Sequence, residues 1–456
     1  MNDLNTKGYT RACADFAAGL EYSALPAETV NKVKLFTLDW LGCAVRGAST
    51  QHAVPAREYC RTMGGAAQAG AIGEADLSSV VNAAFFNAYM GHIMEMDDVD
   101  RESISHPATV VIPAALAVSQ WLGKSGRDFI TAVAAGYEVM LRIGAAITPA
   151  HYAIWHTTGT TGVFGAAAAA GRLLGLNAEQ MAWALGNAGT MAAGLWQFLH
   201  DGAASKFLHT AKAASDGVTS AFLASKGFTG ASRILEGDKG FFAGYARQDI
   251  NDAIFRDFGT RFRTETVSIK PYPCCRHIHS TIDAANAARE KGTGADITEI
   301  SLSVYKTALA IAGIEDPKTP QEAKFSLRYC VARALTKGLL NDADFTVDLL
   351  NDPAQRALMG KVTIAEDAAL SAMMPENWAS RVIVRRADGS VETVQVNSPK
   401  GDPGNPVTWD EVVYKFHRMV EGLLDTPRTE NLLKACSDLE HLDLAHAIMP
   451  VGPLCA

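Results

Sequence analysis

The chain has 456 residues, which is long for one ordinary domain and favours two. Apolar residues make up 48% and charged residues 20%, the balance of a globular protein with a large buried core. The formal net charge is −8 and no run is rich in lysine and arginine, which excludes nucleic acid or an anionic membrane as the main partner. A small anionic substrate is compatible with this charge, because a few local cations are enough to bind it.

The N-terminus and the cysteines indicate the compartment. The first residues carry charges and lack the apolar segment of a signal peptide. No stretch is expected to reach the length of a membrane span, and the most apolar one, residues 162–175, predicts a buried helix. The eight cysteines lack the paired spacing of a disulfide framework. We therefore expect a reduced, cytoplasmic protein.

Residues 9–259 show a helical apolar pattern almost throughout. Predicted helices cover residues 109–122, after His106-Pro107, and residues 128–145, after a short polar loop. Alanine and glycine are dense between residues 165 and 194, which predicts helices whose backbones approach closely.

The pattern changes near Arg261. Residues 299–305 and 361–364 alternate like strands, and residues 381–396 form two alternating runs around Asp388-Gly389, a strong hairpin signal. Helical patterns appear at 320–340, and then at 409–424 and 427–436 after a Gly- and Pro-rich linker at 401–406.

These patterns predict a mainly α protein. A large all-helical domain is expected at residues 1–264, a smaller α+β lid domain at 265–402, and a helical return to the main domain at 403–456.

Four carboxylates, Glu95, Asp97, Asp98 and Asp100, fall within six positions after an apolar helix predicted at 80–90. The helix dipole disfavours negative charge there, and the acids repel one another. Their presence therefore indicates nearby cations, a metal or a catalytic role. The alternative is a polar helix end that turns into a solvated loop.

Residues 155–162 (WHTTGTTG) open the Ala-rich helix. Backbone N–H groups and hydroxyls at such a start, with Thr157 among them, suit a carboxylate, and His156 can donate a proton. The alternative is an N-capped buried helix.

Two further segments are basic. Lys206 and His209 are three residues apart and share a helix face. In residues 270–279 (KPYPCCRHIH), two prolines fix a segment that carries four candidate groups, Lys270, Arg276, His277 and His279. Each segment taken alone is also compatible with a solvated basic surface.

The histidines gather around these segments. Eight of the twelve lie between residues 91 and 280, at positions 92, 106, 151, 156, 200, 209, 277 and 279. Such a set supports proton transfer beside a carboxylate, because nearby cations stabilise the enolate that forms when an α-proton is removed.

Metal and cofactor sites have no matching motif. Residues 97–102 resemble the aspartate-rich magnesium motif of helical prenyl-diphosphate enzymes, but no second acidic motif follows. H-E-x-x-H, C-x-x-C and G-x-G-x-x-G are absent from the sequence. We therefore expect neither metal nor cofactor. The alternative to an enzyme is a non-catalytic helical binding or scaffold protein. In a scaffold, Lys206→Ala and His106→Ala would change neither the affinity for a ligand nor any turnover.

Taken in order, the motifs resemble the MmgE/PrpD family. They are NAAFFNAYMGHIMEMDD, His106-Pro107, WHTTGTTGVFGAAAAA, SKFLHTAKAASDGV, KPYPCCRHIH, AKFSLRY, and the hairpin followed by GDPGNP. The resemblance implies a homodimeric enzyme with a helical domain and an α+β lid that acts on a small di- or tricarboxylate without a cofactor. Enzymes of this family dehydrate 2-methylcitrate, decarboxylate cis-aconitate or epimerise iminodisuccinate.

The resemblance also implies roles for individual residues. Its acidic site position falls on Glu95 or on the neighbouring Asp97 and Asp98. Its histidine, lysine and tyrosine positions fall on His106, His156, His279, Lys206 and Tyr152. With the basic segments added, the predicted catalytic residues are His106, His156, Lys206, Tyr152 and Asp97. The predicted substrate-binding residues are Glu95, Asp98, His209, Lys270, Arg276, His277, His279 and Thr157.

Two departures bear on the reaction. Val99 stands where decarboxylase-type members carry a hydroxyl residue, and KPYPCCRHIH is closer to the dehydratase-like members. We therefore predict dehydration of a citrate-like acid, with decarboxylation and epimerisation as alternatives. Lys206 and His279 are expected to approach the acids from opposite sides of the domain junction.

Overall fold

Helices dominate the structure, a computed structural model that describes residues 8–290, 292, 296–443, 445–449 and 452–455. The described residues fall into two units. The first comprises those within Met1–Ile93, Asp97–Val267 and Thr408–Ala456, and the second comprises Met94–Met96 and those within Ser268–Val407. The chain therefore passes between the units four times.

The helices are numbered in chain order. Those of the first unit before its C-terminal part are α1 (Tyr9–Gly19), α2 (Ala27–Ala48), α3 (Val54–Met63), α4 (Val80–His92), α5 (Ala108–Leu122), α6 (Gly126–Ile147), α7 (Thr157–Leu173), α8 (Ala178–Thr190), α9 (Gln197–Asp201), α10 (Ser205–Ser225) and α11 (Phe241–Tyr245). Those of the second unit are α12 (His279–Arg289), α13 (Lys306–Ala312), α14 (Pro320–Ala323), α15 (Leu327–Lys337), α16 (Val347–Asn351), α17 (Pro353–Met359) and α18 (Ala368–Ser371). The chain then returns to the first unit with α19 (Trp409–Val420) and α20 (Thr426–Ser437).

Small residues bring the central helices of the first unit together, as the sequence predicts. A Cβ atom on Gly217 of α10 would lie 2.7 Å from the backbone nitrogen of Ala167 and 2.8 Å from the carbonyl oxygen of Val163, both on α7. A Cβ atom on Gly165 of α7 would lie 2.9 Å from the carbonyl oxygen of Gly136 on α6. Only glycine permits backbones this close.

Helix α6 differs from the expectation that no segment is long enough to cross a membrane. Within the described residues, it alone is long and apolar enough to do so by length and composition. Every residue of its most apolar window is buried inside the protein, which is typical of a core helix. The expectation was wrong about length, and the burial of α6 accounts for its composition.

The second unit contains a four-stranded sheet in the order β4-β3-β5-β6. Its strands are β3 (Ile297–Val304), β4 (Val362–Glu366), β5 (Ser380–Arg386) and β6 (Val391–Val396), after the short pair β1 (Ala69–Gly70) and β2 (Leu77–Ser78) of the first unit. Strand β3 pairs parallel with β4 and antiparallel with β5, and β5 pairs antiparallel with β6. The predicted hairpin is confirmed, with Gly389 at a φ of 85° in its turn.

Helices α12 and α15 pack against each other, and α12 also covers strands β5 and β6. The helix expected over residues 320–340 is interrupted, because α14 ends at Ala323 and α15 begins at Leu327. Ser326 caps the new helix by accepting a hydrogen bond from the backbone N–H of Tyr329. The protein is thus mainly α, with a smaller α+β part.

Candidate active site

The acidic segment is buried. Glu95, Asp97, Asp98 and Asp100 are each at most 3% exposed. The alternative of a solvated loop is therefore wrong. Asp97, Asp98 and Asp100 belong to the first unit, and Glu95 belongs to the second. Buried carboxylates persist only with specific partners, which identify what each one does.

The loop after α4 is held in an unusual conformation. Glu95 and Ile104 have φ angles of 58° and 47°, in the left-handed region that side chains with a Cβ atom rarely adopt. The backbone N–H of Asp100 donates to the carbonyl oxygen of Ser105, at 2.9 Å. The Asp100 carboxylate accepts hydrogen bonds from the backbone and hydroxyl of Ser103. These contacts fix the loop between the two strained residues.

Four histidines of the first unit form a group that we call the histidine cluster: His92, His106, His156 and His209. The ring centroid of His92 lies 5.0 Å from that of His106 and 5.7 Å from that of His156. The Nδ1 atoms of His156 and His209 are 3.2 Å apart. Because one nitrogen must donate and the other accept, at least one of these two rings is neutral while the contact exists.

Two rings of the cluster have a defined proton position. His92 Nδ1 lies 2.6 Å from Asp97 Oδ2, and His106 Nδ1 lies 2.6 Å from the carbonyl oxygen of Asp98. Carboxylate and carbonyl oxygens only accept, so each Nδ1 carries the proton. In the neutral ring the basic lone pair is then on Nε2.

Asp98 uses both carboxylate oxygens inside the protein. Oδ1 accepts from the backbone N–H of Ala108, in the first turn of α5, and Oδ2 accepts from the hydroxyl of Tyr137 at 2.8 Å. Burial raises the pKa values of Asp98 and Tyr137 well above their ordinary ranges. Asp98 is thus bonded to His106 through its backbone carbonyl and to the start of α5 through its carboxylate. The predicted contact of Asp98 with substrate stays a prediction.

His156 and His209 are held neutral. Burial, and then the neighbouring His209, lower the pKa of His156 well below its ordinary value. Burial, followed by His92 and Lys206, lowers the pKa of His209 to about 4. The Lys206 ammonium, on a side chain only 3% exposed, also disfavours protonation of His156. A solvated basic surface is therefore wrong for Lys206.

The remaining predicted residues of the first unit lie beside the cluster. The Tyr152 ring packs edge-on against Trp196, with 4.9 Å between centroids, and Trp196 lies 5.0 Å from the ring of His156. Thr157 is the first residue of α7 and is fully buried. Among the described residues its hydroxyl has no hydrogen-bond partner. The threonines and glycines of this segment thus lie within the helix rather than before it.

In the second unit, Glu95 lies among lysines. Glu95 Oε2 is 3.6 Å from Lys270 Nζ, and Lys324 Nζ donates to the carbonyl oxygen of Met94 at 3.1 Å. Burial is the main cause that lowers the pKa of Lys324, and Glu95 opposes this effect. All three side chains are buried. Lys270 and Lys324 thus place two basic groups near one buried carboxylate, a combination that can bind an anion.

Arg276 and His279 are bound to each other. Arg276 donates from Nη1 to His279 Nδ1 at 2.9 Å and forms an ion pair with Asp402. His279 Nε2 lies 3.2 Å from the carbonyl oxygen of Cys274. Because Nδ1 accepts and Nε2 donates, His279 is neutral in this conformation.

His277 lies in a different environment. It stacks on Trp378 with 4.4 Å between ring centroids, and its Nδ1 lies 2.6 Å from the hydroxyl of Tyr305. Burial lowers its pKa to about 3. The contacts of the His277 ring are thus with Trp378 and Tyr305, and its predicted substrate contact stays untested.

Two surface cavities are lined by other residues than those of these clusters. A cavity of about 430 Å³ is lined by residues of α3 and of the β1–β2 pair, and another of about 330 Å³ by residues of α19 and α20. In the first, Arg57 and Arg61 are both paired with Glu74, so their charges are already compensated. Neither lining includes a predicted site residue.

The described part of the chain contains no group of three or more His, Cys, Asp or Glu side chains arranged to hold a metal ion. The side chains of the histidine cluster contact one another and Asp97, and the charge of Lys206 acts on His156 and His209. Groups of these types can transfer protons.

Three functional candidates were missed from sequence. His92 was counted among the gathered histidines, and Lys324 lies in the quoted AKFSLRY motif, but neither was selected as a site residue. Tyr137 lies inside an apolar helix, where nothing in the sequence marks it. All three are identified by contacts with residues that the sequence did select.

The sequence matches the MmgE/PrpD N-terminal domain over residues 11–252 and the MmgE/PrpD C-terminal domain over residues 272–439. The chain belongs to the MmgE/PrpD family. Its predicted resemblance is thereby confirmed, and so is the mainly α fold with a smaller α+β part.

Members of this family with assigned activities are similar to the chain at low identity. The cis-aconitate decarboxylase of Aspergillus terreus is 26% identical over 96% of this chain and 95% of its own length. Human cis-aconitate decarboxylase is 25% identical over 96% and 93%. The 2-methylcitrate dehydratase of Cupriavidus necator is 30% identical, over 32% of each chain. These relatives are lyases.

Proposed function

We propose that the protein is a lyase that dehydrates a citrate-like polycarboxylate by removing an α-proton and then water, without a metal or organic cofactor. Membership of a family with lyase relatives supports the general class. The histidine cluster, with Asp97 bonded to His92 and with Lys206 acting on His156 and His209, supports proton transfer as the chemistry.

The observation that carries the proposal is the geometry of the cluster, in which His92 Nδ1 contacts Asp97 and the Nδ1 atoms of His156 and His209 lie 3.2 Å apart. At neutral pH, rings whose pKa values lie well below their ordinary value keep a basic lone pair. A base takes the α-proton, and the electron pair of the C–H bond passes into the adjacent carboxylate. The cation at Lys206 stabilises the resulting enolate. The pair then forms the C=C bond as the C–O bond breaks, and an acid protonates the leaving hydroxyl to give water.

The division of labour among the predicted groups stays open. His106, His156 and Tyr152 are the candidates for acid and base, and Lys206 and His279 for carboxylate binding or enolate stabilisation. In the second unit, the lysines near Glu95 are a separate candidate for binding an anionic group.

Decarboxylation of a cis-aconitate-like acid is the second candidate. The match to cis-aconitate decarboxylases extends over almost the full length of both chains, whereas the match to the Cupriavidus necator dehydratase covers a third. Val99 favours dehydration, because this buried valine stands where the decarboxylase-type members carry a hydroxyl. Epimerisation is a third outcome of the same proton transfer.

The test is incubation of the chelator-treated protein with 2-methylcitrate, citrate, cis-aconitate and iminodisuccinate stereoisomers in deuterated water, followed by NMR. We expect loss of water from a citrate-like acid, with turnover unchanged by chelation. Release of carbon dioxide, or inversion with deuterium incorporation, would identify one of the other reactions. Loss of turnover on chelation would contradict cofactor independence. Neither turnover nor exchange with any acid would favour a helical binding protein.

We also propose that the enzyme is a homodimer, in keeping with the family resemblance, and that it is cytoplasmic, in keeping with its N-terminal sequence and the spacing of its cysteines. Analytical ultracentrifugation at micromolar concentration should give about twice the mass of one chain. A monomer at that concentration would contradict the proposal.

A further inference from the structure

His92 lies at the centre of the histidine cluster and is absent from the residues selected on sequence. It is the last residue of α4, and neither it nor Asp97 is exposed. Its ring lies 5.0 Å from His106 and is stacked on His156, with an interplanar angle of 19°.

The two nitrogens of His92 differ. Nδ1 donates to Asp97 Oδ2 at 2.6 Å. Nε2 is buried, and no hydrogen-bond partner for it exists among the residues that the structure describes. A buried polar atom without a partner costs free energy, so it requires an explanation. A carboxylate on one nitrogen fixes the tautomer and leaves the other as a base, and it stabilises the imidazolium formed when that base takes a proton.

The start of this segment is rigid. A Cβ atom on Gly91 would lie 2.8 Å from the Thr109 hydroxyl oxygen of α5 and would overlap Trp40 of α2. The hydroxyls of Thr109 and Thr210 both donate to the carbonyl oxygen of Ala88 in the last turn but one of α4. The backbone that carries His92 is therefore held by three other helices.

A fully buried histidine in the same unit shows the contrasting case. His151 Nδ1 lies 2.9 Å from the carbonyl oxygen of Tyr245, and Nε2 lies 2.8 Å from the hydroxyl of Thr160. Both nitrogens have partners in the protein, as expected of a structural histidine. His92 is equally buried, but its Nε2 has no hydrogen-bond partner among the described residues.

We propose that His92 is a catalytic base of this enzyme, with Asp97 as the residue that positions it and fixes its tautomer. His92 Nε2 removes the proton from the carbon next to a substrate carboxylate and holds it as an imidazolium paired with Asp97. The inference rests on the proposed function and adds to it a residue and a direction of proton transfer.

The first experiment needs no substrate. Histidine ¹⁵N NMR of the full chain at neutral pH, assigned by comparison with His92→Asn, should show His92 protonated on Nδ1 and unprotonated on Nε2. Asp97→Asn should disturb this tautomer. An Nε2–H tautomer in the unaltered protein would overturn the proposal, whether or not a substrate has been found.

The second experiment measures turnover and α-deuterium exchange. His92→Asn keeps a donor near Asp97 but has no basic nitrogen at the position of Nε2, so kcat should fall about 10²- to 10⁴-fold with a smaller change in KM. The matched control is His151→Asn, which should lower Tm yet leave kcat within about threefold, because its nitrogens serve the fold. If His92→Asn keeps kcat within threefold, the proposal is overturned.

The outcomes separate the two proposals. The expected tautomer without turnover or exchange on any acid would contradict the proposed function and leave the Asp97–His92 arrangement as found. Turnover of an acid with an undiminished His92→Asn variant would support the proposed function and remove His92 from it. Should His92→Asn fail to fold, kcat of Asp97→Asn is compared with that of the parent instead. This variant retains the basic ring but not the carboxylate charge that fixes its tautomer, so its kcat should also fall.

Discussion

Single residues of the acidic segment perform different tasks although they are close together in sequence. Asp97 contacts a histidine, Asp98 joins His106 to a helix start and to Tyr137, and Asp100 closes its own loop. Each of these carboxylates faces a donor, which offsets part of the repulsion between the acids, although the charge of Asp97 still raises the pKa of Asp98. Glu95 is associated with the lysines of the second unit.

Tyr137→Phe tests the connection from Asp98 to His106. The change leaves Asp98 Oδ2 buried without its donor, so the side chain should shift and His106 should lose its fixed orientation. We expect kcat to fall about 10- to 100-fold with little change in KM, because Tyr137 acts on His106 only through Asp98. Steady-state kinetics measures this.

The matched control for Tyr137→Phe is Tyr329→Phe, which removes the hydroxyl of another fully buried tyrosine, here bonded to the carbonyl oxygen of Asp344 in the second unit. Equal losses of kcat in the two variants would show that Tyr137 acts only on stability.

Lys324→Met tests the positive site of the second unit. Methionine has a similar volume but removes a cation near the buried Glu95 and the donor to the carbonyl oxygen of Met94, so Tm should fall. If the ammonium binds a substrate carboxylate, KM should rise about tenfold or more, since a hydrogen bond to a charged group contributes roughly 1.5–3 kcal/mol. Lys361→Met is the control, because Lys361 also donates to a backbone carbonyl, that of Ile297. A KM unaffected by Lys324→Met would exclude this contact.

At the scale of helices, glycine decides how closely α7 and α10 approach. Gly217→Ala would place a Cβ atom against the backbone of α7, where no flexible side chain can yield. We expect a loss of about 1–3 kcal/mol in the free energy of unfolding, despite the better helix propensity of alanine. Urea denaturation measures the change.

Gly19→Ala is the comparison for Gly217→Ala. A Cβ atom there meets nothing within 4 Å, and the residue lies at the end of α1. This variant should be neutral or slightly stabilising. A neutral Gly217→Ala would mean that α7 and α10 can separate at low cost.

Helices and the hairpin were predictable because their signals are local. Apolar spacing, caps and Asp388-Gly389 act within a few residues, and the hairpin turns at Asp388-Gly389 as predicted. The break between α14 and α15 was missed, since a serine cap inside a helical pattern has no strong signal.

Most of the site residues were selected, because His, Lys and acid clusters are visible in the sequence. Their burial and partners were not, because Tyr137 is 39 residues from Asp98 and Lys324 is 230 from Met94.

For the molecule as a whole, buried neutral histidines make stability depend on pH. The pKa values of His151 and His209 are about 4 when folded, against an ordinary 6.5. Between these values the unfolded chain binds more protons, so the free energy of unfolding falls as pH falls from about 6.5 to about 4. A fully buried group such as His151 contributes up to roughly 3 kcal/mol of this fall.

Urea denaturation at pH 7 and pH 5 checks this dependence. His151→Asn should be less stable than the parent at pH 7 but lose less stability on going to pH 5. The exposed His417, changed to Gln, should leave the difference between the two pH values as it is. If His151→Asn lost as much stability as the parent on going to pH 5, the buried, neutral state of His151 would be contradicted.

The passage of the chain between its two units has a consequence for biosynthesis. Helix α2 has α19 as a packing partner, through contacts of Gly42 with Phe416 and Met419 and a buried ion pair of Asp39 with Lys415. At about 5–20 residues per second, a ribosome needs roughly 20–70 s to go from residue 48 to residue 409. During that time the face of α2 that receives α19 has no partner from its own chain. The first helices to be made are thus completed by one of the last, and slow translation of residues 409–420 should prolong the period in which a nascent chain needs a chaperone.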